Sequence, residues 1–279
     1  MRKRPYSTLA DGALWAPSRG AATTGLILIP PLIGDTATSQ LHRFRRLRRR
    51  GMAIYTFAYP GHPGTTGRFS LRAAMLATGR HMETAAHLAG RHKIPLFGLG
   101  CCAAAIPLLA AAHAAPVKPT RLALLNPLVC FAPDSLLKAF WSYSRVYSHH
   151  PLGRLRTLPA YLDHLFPGIA KNRARFGALE RRRIALPQLL VEILQDQILA
   201  GVWLAQTPVV CCYGQTDPLL QQLLPKGVMN YEAAIRHHCP RATFKPLPAA
   251  HFFASPRLRE RLGRIICQAF TLASPEARW

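Results

Sequence analysis

Six short apolar runs punctuate this chain, each five or six residues long and most of them closed by a Gly or Pro corner: Thr24–Ile29, Ala53–Ala58, Ile94–Leu99, Arg121–Leu125, Val209–Tyr213 and the weaker Ala242–Leu247. Runs of that length, apolar without alternation, suit strands buried on both faces, which is the condition of a parallel sheet covered by helices. Helix-periodic stretches fall between them. Leu41–Arg50 sets Leu41, Phe44 and Leu47 at helical spacing, Leu71–Ala89 follows, an Ala/Leu-rich stretch ends at Ala115, and Pro256–Leu272 is amphipathic. Residues 6–16 alternate weakly about Ala10-Asp11-Gly12, the signal of a turn between two short strands. The pattern predicts an α/β fold with a mainly parallel central sheet and helices on both faces. No internal repeat or linker interrupts it.

The alternation breaks once. Between Leu125 and Thr207 lie about 80 residues of aromatic, Arg-rich, helix-prone sequence. An insertion of that size between two strands predicts a helical lid over 127–205, set on a core made of 1–126 and 206–279. The chain has 279 residues, enough to bury a substantial core. Its 36 Lys and Arg against 12 Asp and Glu give a formal net charge of +24. That imbalance favours anionic partners, although codon bias produces Arg- and Ala-rich chains as well. The run Arg43–Arg50 suggests a nucleic-acid patch until Phe44 and Leu47 are seen to give it an apolar face. A solvated helix face is the simpler reading, and nucleic acid is not the expected partner.

Seven cysteines, two adjacent pairs and no CxxC spacing point to reduced thiols in a cytoplasmic protein rather than to a disulfide framework or a zinc site. The pairs His149-His150 and His237-His238 lack a matching acid or Cys cluster, so no metal is expected, nor any cofactor. The basic N-terminus has no apolar stretch behind it, which argues against a signal peptide. Pro95, Pro107 and His113 interrupt the most apolar segment, 94–115, so no membrane span is expected.

Five corners in one order carry the chemistry. A strand ends in Ile29-Pro30-Pro31-Leu32-Ile33-Gly34, the next in Tyr59-Pro60-Gly61-His62-Pro63-Gly64, and a third in Gly98-Leu99-Gly100-Cys101-Cys102-Ala103-Ala104. After the insertion come Tyr213-Gly214-Gln215-Thr216-Asp217 and Pro248-Ala249-Ala250-His251. Over roughly residues 6–272 this order resembles the α/β-hydrolase superfamily, whose catalytic groups follow as nucleophile, acid and histidine. The resemblance implies the α/β-hydrolase fold, with Asp217 as the acid that orients the histidine and His251 as the general base. His62 reads as structural.

The nucleophile departs from the family's pattern. The family's turn is Gly-x-Ser-x-Gly, and no serine occurs between Ser70 and Ser135. In one register the nucleophile position is Gly100 and the protein is a catalytically inactive accessory or binding protein. In another, Gly100-Cys101-Cys102-Ala103-Ala104 fills the motif with Cys102 at the turn, as in dienelactone hydrolases and polyhydroxyalkanoate synthases; Cys101 is a third candidate. The Cys102 register sets Pro107 nearer the helix start, where its missing N–H costs less. Against it, Ile94–Phe97 followed by Gly98 reads equally well as strand then turn. With Cys102 as nucleophile, the oxyanion donors implied are the N–H of Ala103 and one near Leu32, since Pro30 and Pro31 have none. The resulting expectation is hydrolysis or transfer of an acyl group from an ester or thioester through a Cys-His-Asp triad. The basic charge suits a carrier that is anionic, either coenzyme A or an acidic acyl carrier protein.

Overall fold

The computed structural model describes residues 6–9, 11–19, 22–32, 35–62, 64–67, 69–129, 199, 201–217, 220, 228–249 and 255–271. Apart from the long insertion after Leu125, gaps of 21–35 residues between the apolar runs leave room for helices and their loops, and the elements follow that rhythm. They are β1 (Ser7–Thr8), β2 (Leu14–Ala16), β3 (Gly25–Ile29), α1 (Ala37–Arg43), α2 (Arg45–Arg49), β4 (Met52–Thr56), α3 (Leu71–Arg91), β5 (Leu96–Cys101), a 3₁₀ turn (Cys102–Ala104), α4 (Ala105–Ala114), β6 (Arg121–Leu125), β7 (Val209–Gly214), α5 (Val228–His238), β8 (Ala242–Leu247) and α6 (Pro256–Thr271). The eight strands form one sheet in the order β1-β2-β4-β3-β5-β6-β7-β8. The β1–β2 and β2–β4 pairs are antiparallel, and every pair from β4 to β8 is parallel. This is the α/β-hydrolase fold that the order of corners implied.

Because successive side chains on a strand point to opposite faces, each apolar run feeds two cores. Leu26 and Leu28 of β3 join α3, α4 and α5 residues such as Met82, Leu109 and Tyr231 on one face. Ile27 and Ile29 join Leu41, Leu47 and Phe270, from α1, α2 and α6, on the other. Phe97 of β5 stacks on Phe270 of α6 with ring centroids 4.4 Å apart and planes 6° from parallel. Side-chain caps start three helices: Thr36 Oγ1 accepts the Ser39 N–H, Ser70 Oγ accepts the Ala73 N–H and Ser255 Oγ accepts the Leu258 N–H.

Some expected boundaries move. The helix expected over 41–50 begins at Ala37 and breaks at Phe44 into α1 and α2. Sequence periodicity does not reveal α5, whose buried residues among its described side chains are Tyr231 and Ile235, one turn apart. β5 runs from Leu96 to Cys101 instead of ending at Leu99. Pro95 cannot donate to a ladder, so pairing starts one residue later, with its carbonyl accepting the Leu26 N–H at 2.9 Å. The expected lid over 127–205 falls almost wholly outside the described residues. Among the described residues, no helix is long and apolar enough to cross a membrane.

Candidate active site

In an open parallel sheet the carboxyl ends of the strands gather at one edge, where a crevice can form. Leu32 follows β3, Cys102 and Ala103 follow β5, and Asp217 follows β7, so the fold brings these four positions to the same edge. His251 comes after β8, in 250–254, and lies outside the described residues, as do 218 and 219.

The passage from β5 to α4 is the most constrained turn at that edge. Cys101 is extended (φ −115°, ψ 136°), and the next residue, Cys102, has φ 52°. An L-residue in the left-handed region costs roughly 1–2 kcal/mol, so such turns occur where surrounding structure holds them. Here α4 does the holding. A Cβ built on Gly100 would sit 2.9 Å from Ala105 Cα and 3.0 Å from Leu108 Cδ2, which is how closely the helix approaches the strand. Pro107 falls in the first turn of α4, where no N–H is needed. The Leu128 N–H donates to the Cys102 carbonyl at 3.2 Å, tying the segment after β6 to the turn.

Gly100 itself lies inside β5, paired with Leu124, and is not at the turn. Cys101 is the last residue of β5, opposite Leu125, and packs with the α1/α6 core. Burial pushes its thiol up to about 12, an effect that nearby Arg43 only partly offsets. Cys212 and Cys239 are likewise raised to about 12 and Cys267 to about 11, and Cys211 is raised well above the ordinary thiol value, all chiefly by burial. Cys102 is also buried, on the α3/α4 face of the sheet, and Ala103 beside it is buried too. All six described cysteines are free thiols.

Asp217 is completely buried. Its backbone is set by three bonds in succession: Gln215 N–H to the Leu247 carbonyl, Thr216 N–H to the Ala249 carbonyl, and Asp217 N–H to the Gly214 carbonyl. The loops after β7 and β8 are thereby stitched together, and Ala249 stands two residues before His251. Sequence reasoning missed the support beneath this turn. Asn126, 2% exposed and left-handed at φ 43°, accepts the Gly214 N–H on Oδ1 at 2.7 Å and donates its own N–H to the Cys212 carbonyl. Asn tolerates that conformation better than most residues, and an Asn-Pro pair ending an apolar run is the signal that could have found it.

The loop after β3 is fastened by a second group that the sequence did not announce. Buried Asp35 pairs with Arg43 at 2.8 Å and accepts from Gln40 Nε2 at 2.9 Å, while its N–H donates to the Leu32 carbonyl. The Asp35 carbonyl lies 3.3 Å from His62 Nδ1, which donates to it. His62 is buried, with its ring stacked on Phe69 and edge-on to Tyr59, in keeping with a structural part. Among the described residues no group of three His, Cys, Asp or Glu could hold a metal ion. A groove of about 470 Å³ lined by Glu83, His87, Arg91 and Val117 lies at the opposite, amino end of β5 and is no part of this site.

No protein family and no curated protein sequence matches the chain. Solved structures do. A soluble variant of the monoglyceride lipase of Saccharomyces cerevisiae aligns with a TM-score of 0.61 at 13% identity, covering 96% of this chain and 94% of that one. The thermostable carboxyl esterase of Bacillus coagulans gives 0.57 at 12% identity, with 96% and 97% covered. The monoacylglycerol lipase of Paleococcus ferrophilus gives 0.55 at 16%, with 93% and 98% covered. At these identities the likeness is one of fold, and it extends over essentially the whole chain.

Proposed function

We propose that this chain is an enzyme that hydrolyses or transfers an acyl group held as an ester or thioester, with Cys102 as nucleophile, His251 as general base and Asp217 as the acid that orients it. One observation carries the reading: the only positive-φ residue at the end of β5 is a cysteine, on a turn forced against a helix start. A strained strand-to-helix turn holds its side chain out at the edge where substrates meet an α/β-hydrolase sheet. Asp217 supports it as a fully buried carboxylate on a rigid turn beside the loop that carries His251.

In the reaction, His251 takes the Cys102 thiol proton as sulfur attacks the carbonyl carbon. The oxyanion forms against the N–H of Ala103 and one from the Leu32 loop. The tetrahedral intermediate collapses with protonation of the leaving alcohol or thiol by His251. A water, or an acceptor hydroxyl or thiol, then gives its proton to His251 and releases the acyl group from sulfur. The carrier is coenzyme A or an acidic acyl carrier protein where the substrate is a thioester. Residues 127–205 leave the sheet at the carboxyl end of β6, beside the turn, and on this reading form the lid. Free, unpaired thiols support a reducing, cytoplasmic setting.

The test is differential alkylation. Limiting iodoacetamide followed by peptide mass spectrometry is expected to label Cys102, the one buried thiol held on the turn, before Cys101, Cys211, Cys212, Cys239 and Cys267. Hydrolysis of p-nitrophenyl butyrate is expected to vanish in Cys102→Ala and to survive in Cys101→Ala. Labelling of Cys102 no faster than its neighbours, with activity intact in Cys102→Ala, overturns the proposal.

A further inference from the structure

The helices on one side of the sheet carry charge that the acyl-transfer reading leaves unused. Residues 37–50 hold six arginines and no acid, and residues 256–271 hold four arginines and one acid, Glu260. α2 and α6 run side by side in the same direction. Arg46 Nη1 donates to the Pro256 carbonyl at 3.1 Å and to Glu260 at 3.4 Å, and Arg50 pairs with Glu260 one turn further on. Their apolar faces are spent on the core through Leu47, Leu262, Ile266 and Phe270. Arg45, Arg49, Arg257, Arg261 and Arg264 are exposed outward.

Local stability argues against this composition. Like charges a turn apart on a helix repel, and Arg257 and Arg259 occupy the first turn of α6, where the helix dipole favours acids. A face built against its own helices' preferences is suited to an outside anion. The face also adjoins the mouth. α6 begins directly after the loop that carries His251, Arg46 grips its first residue, and Arg43 anchors the Leu32 loop through Asp35.

We infer that the arginine face of α2 and α6 is the docking surface for an acidic protein that brings the acyl group to the site as a thioester. It rests on the acyl-transfer reading above. The grip on Glu260 shows the recognition in miniature: two arginines one turn apart, 46 and 50, hold a carboxylate borne on a neighbouring helix. Arg45 and Arg49 on α2, and Arg257, Arg261 and Arg264 on α6, repeat that spacing outward and match an acidic helix with carboxylates at i and i+4. The three large apolar side chains that are exposed among the described residues, Leu76, Val117 and Trp203, all lie on other elements. The face therefore offers no described apolar anchor for a bilayer and no described aromatic platform for bases.

The test measures docking and catalysis separately. Binding of a fluorescein-labelled acyl carrier protein is followed by anisotropy for the wild type and for Arg49→Glu/Arg257→Glu/Arg261→Glu, whose thermal unfolding is checked to be unchanged. Docking predicts binding in 50 mM salt, at least tenfold weaker in the triple variant and in 500 mM salt. Turnover of octanoyl-N-acetylcysteamine, an uncharged thioester, is expected to be equal in the two proteins. If that turnover is absent from both, the acyl-transfer reading fails while anisotropy still decides docking. No binding of the carrier, or binding indifferent to the triple substitution, overturns the inference. So does tighter, substitution-sensitive binding of a 20-base-pair DNA duplex or of phosphatidylglycerol vesicles.

Discussion

Substituting Gly100 by alanine adds one carbon where α4 and β5 are closest. The new Cβ stands 2.9 Å from Ala105 Cα, a backbone atom that cannot rotate away, and 3.0 Å from Leu108 Cδ2. Ordinary contact begins near 3.4 Å, so the helix start must retreat by about half an ångström. Overpacking of this kind costs about 1–3 kcal/mol, and the rigid partner puts Gly100→Ala in the upper half of that range. Gly98→Ala is the internal control. Its Cβ meets only side-chain tips, Leu122 Cδ2 at 2.6 Å and Leu108 Cδ1 at 3.0 Å, which can shift rotamer. With about 2 °C of midpoint per kcal/mol for a chain this long, Gly100→Ala is expected to melt roughly 4–6 °C below wild type. Gly98→Ala is expected to fall by no more than half of that. Scanning calorimetry reads both, and iodoacetamide labelling reads the turn: displacing Ala105 moves Cys102, so its labelling rate changes in Gly100→Ala and holds in Gly98→Ala. A Gly100→Ala protein as stable as wild type, with the larger loss at Gly98, would refute the close approach on which the turn depends.

Asn126→Ala removes both the acceptor for the buried Gly214 N–H and a residue that tolerates φ 43°; chemical denaturation is expected to show a loss of about 2–3 kcal/mol, and Asn126→Gly, which relieves the backbone, a smaller one. His81, whose Nδ1 lies 2.9 Å from Tyr55 Oη, has its pKa lowered chiefly by burial, with Asp11 partly offsetting this, and His238 is lowered chiefly by burial too. The folded state then binds fewer protons than the unfolded one below the ordinary histidine pKa of about 6.5, so stability is full above that pH and declines as pH falls through it. Unfolding free energies from pH 7.5 to 5 are expected to fall less steeply in His81→Gln, and an unchanged slope counts against the buried neutral ring. Asp35→Ala leaves Gln40 and the partly exposed Arg43 without their acceptor and is expected to lose about 1–2 kcal/mol in the same assay.

Most of the architecture was legible in one dimension because strands buried on both faces need unbroken apolar runs, and most of those runs are separated by helix-periodic stretches. Arg121–Leu125 and Ala242–Leu247 keep the bounds that their apolar composition suggests. The helix α5 was not legible, since among its described side chains only Tyr231 and Ile235 are buried. Neither was the break at Phe44, where α1 and α2 divide although Leu41, Phe44 and Leu47 all keep one helical stripe.

The sequence by itself determined the order of strands and helices, the absence of a serine at the third corner, and the positions of Asp217 and His251 relative to their strands. Those are properties of composition and spacing. Left open were Gly100, Cys101 and Cys102, because a strand and the turn after it share small residues and the backbone's bend leaves no mark on them. Tertiary packing decided where the chain turns. Pro95 delays the ladder, β5 extends to Cys101, and α4 lies so close to Gly100 that the left-handed residue falls at Cys102. The same holds for Asn126 and Asp35, ordinary loop residues in the sequence, whose parts come from carbonyls, amides and an arginine that only the folded sheet edge brings within reach.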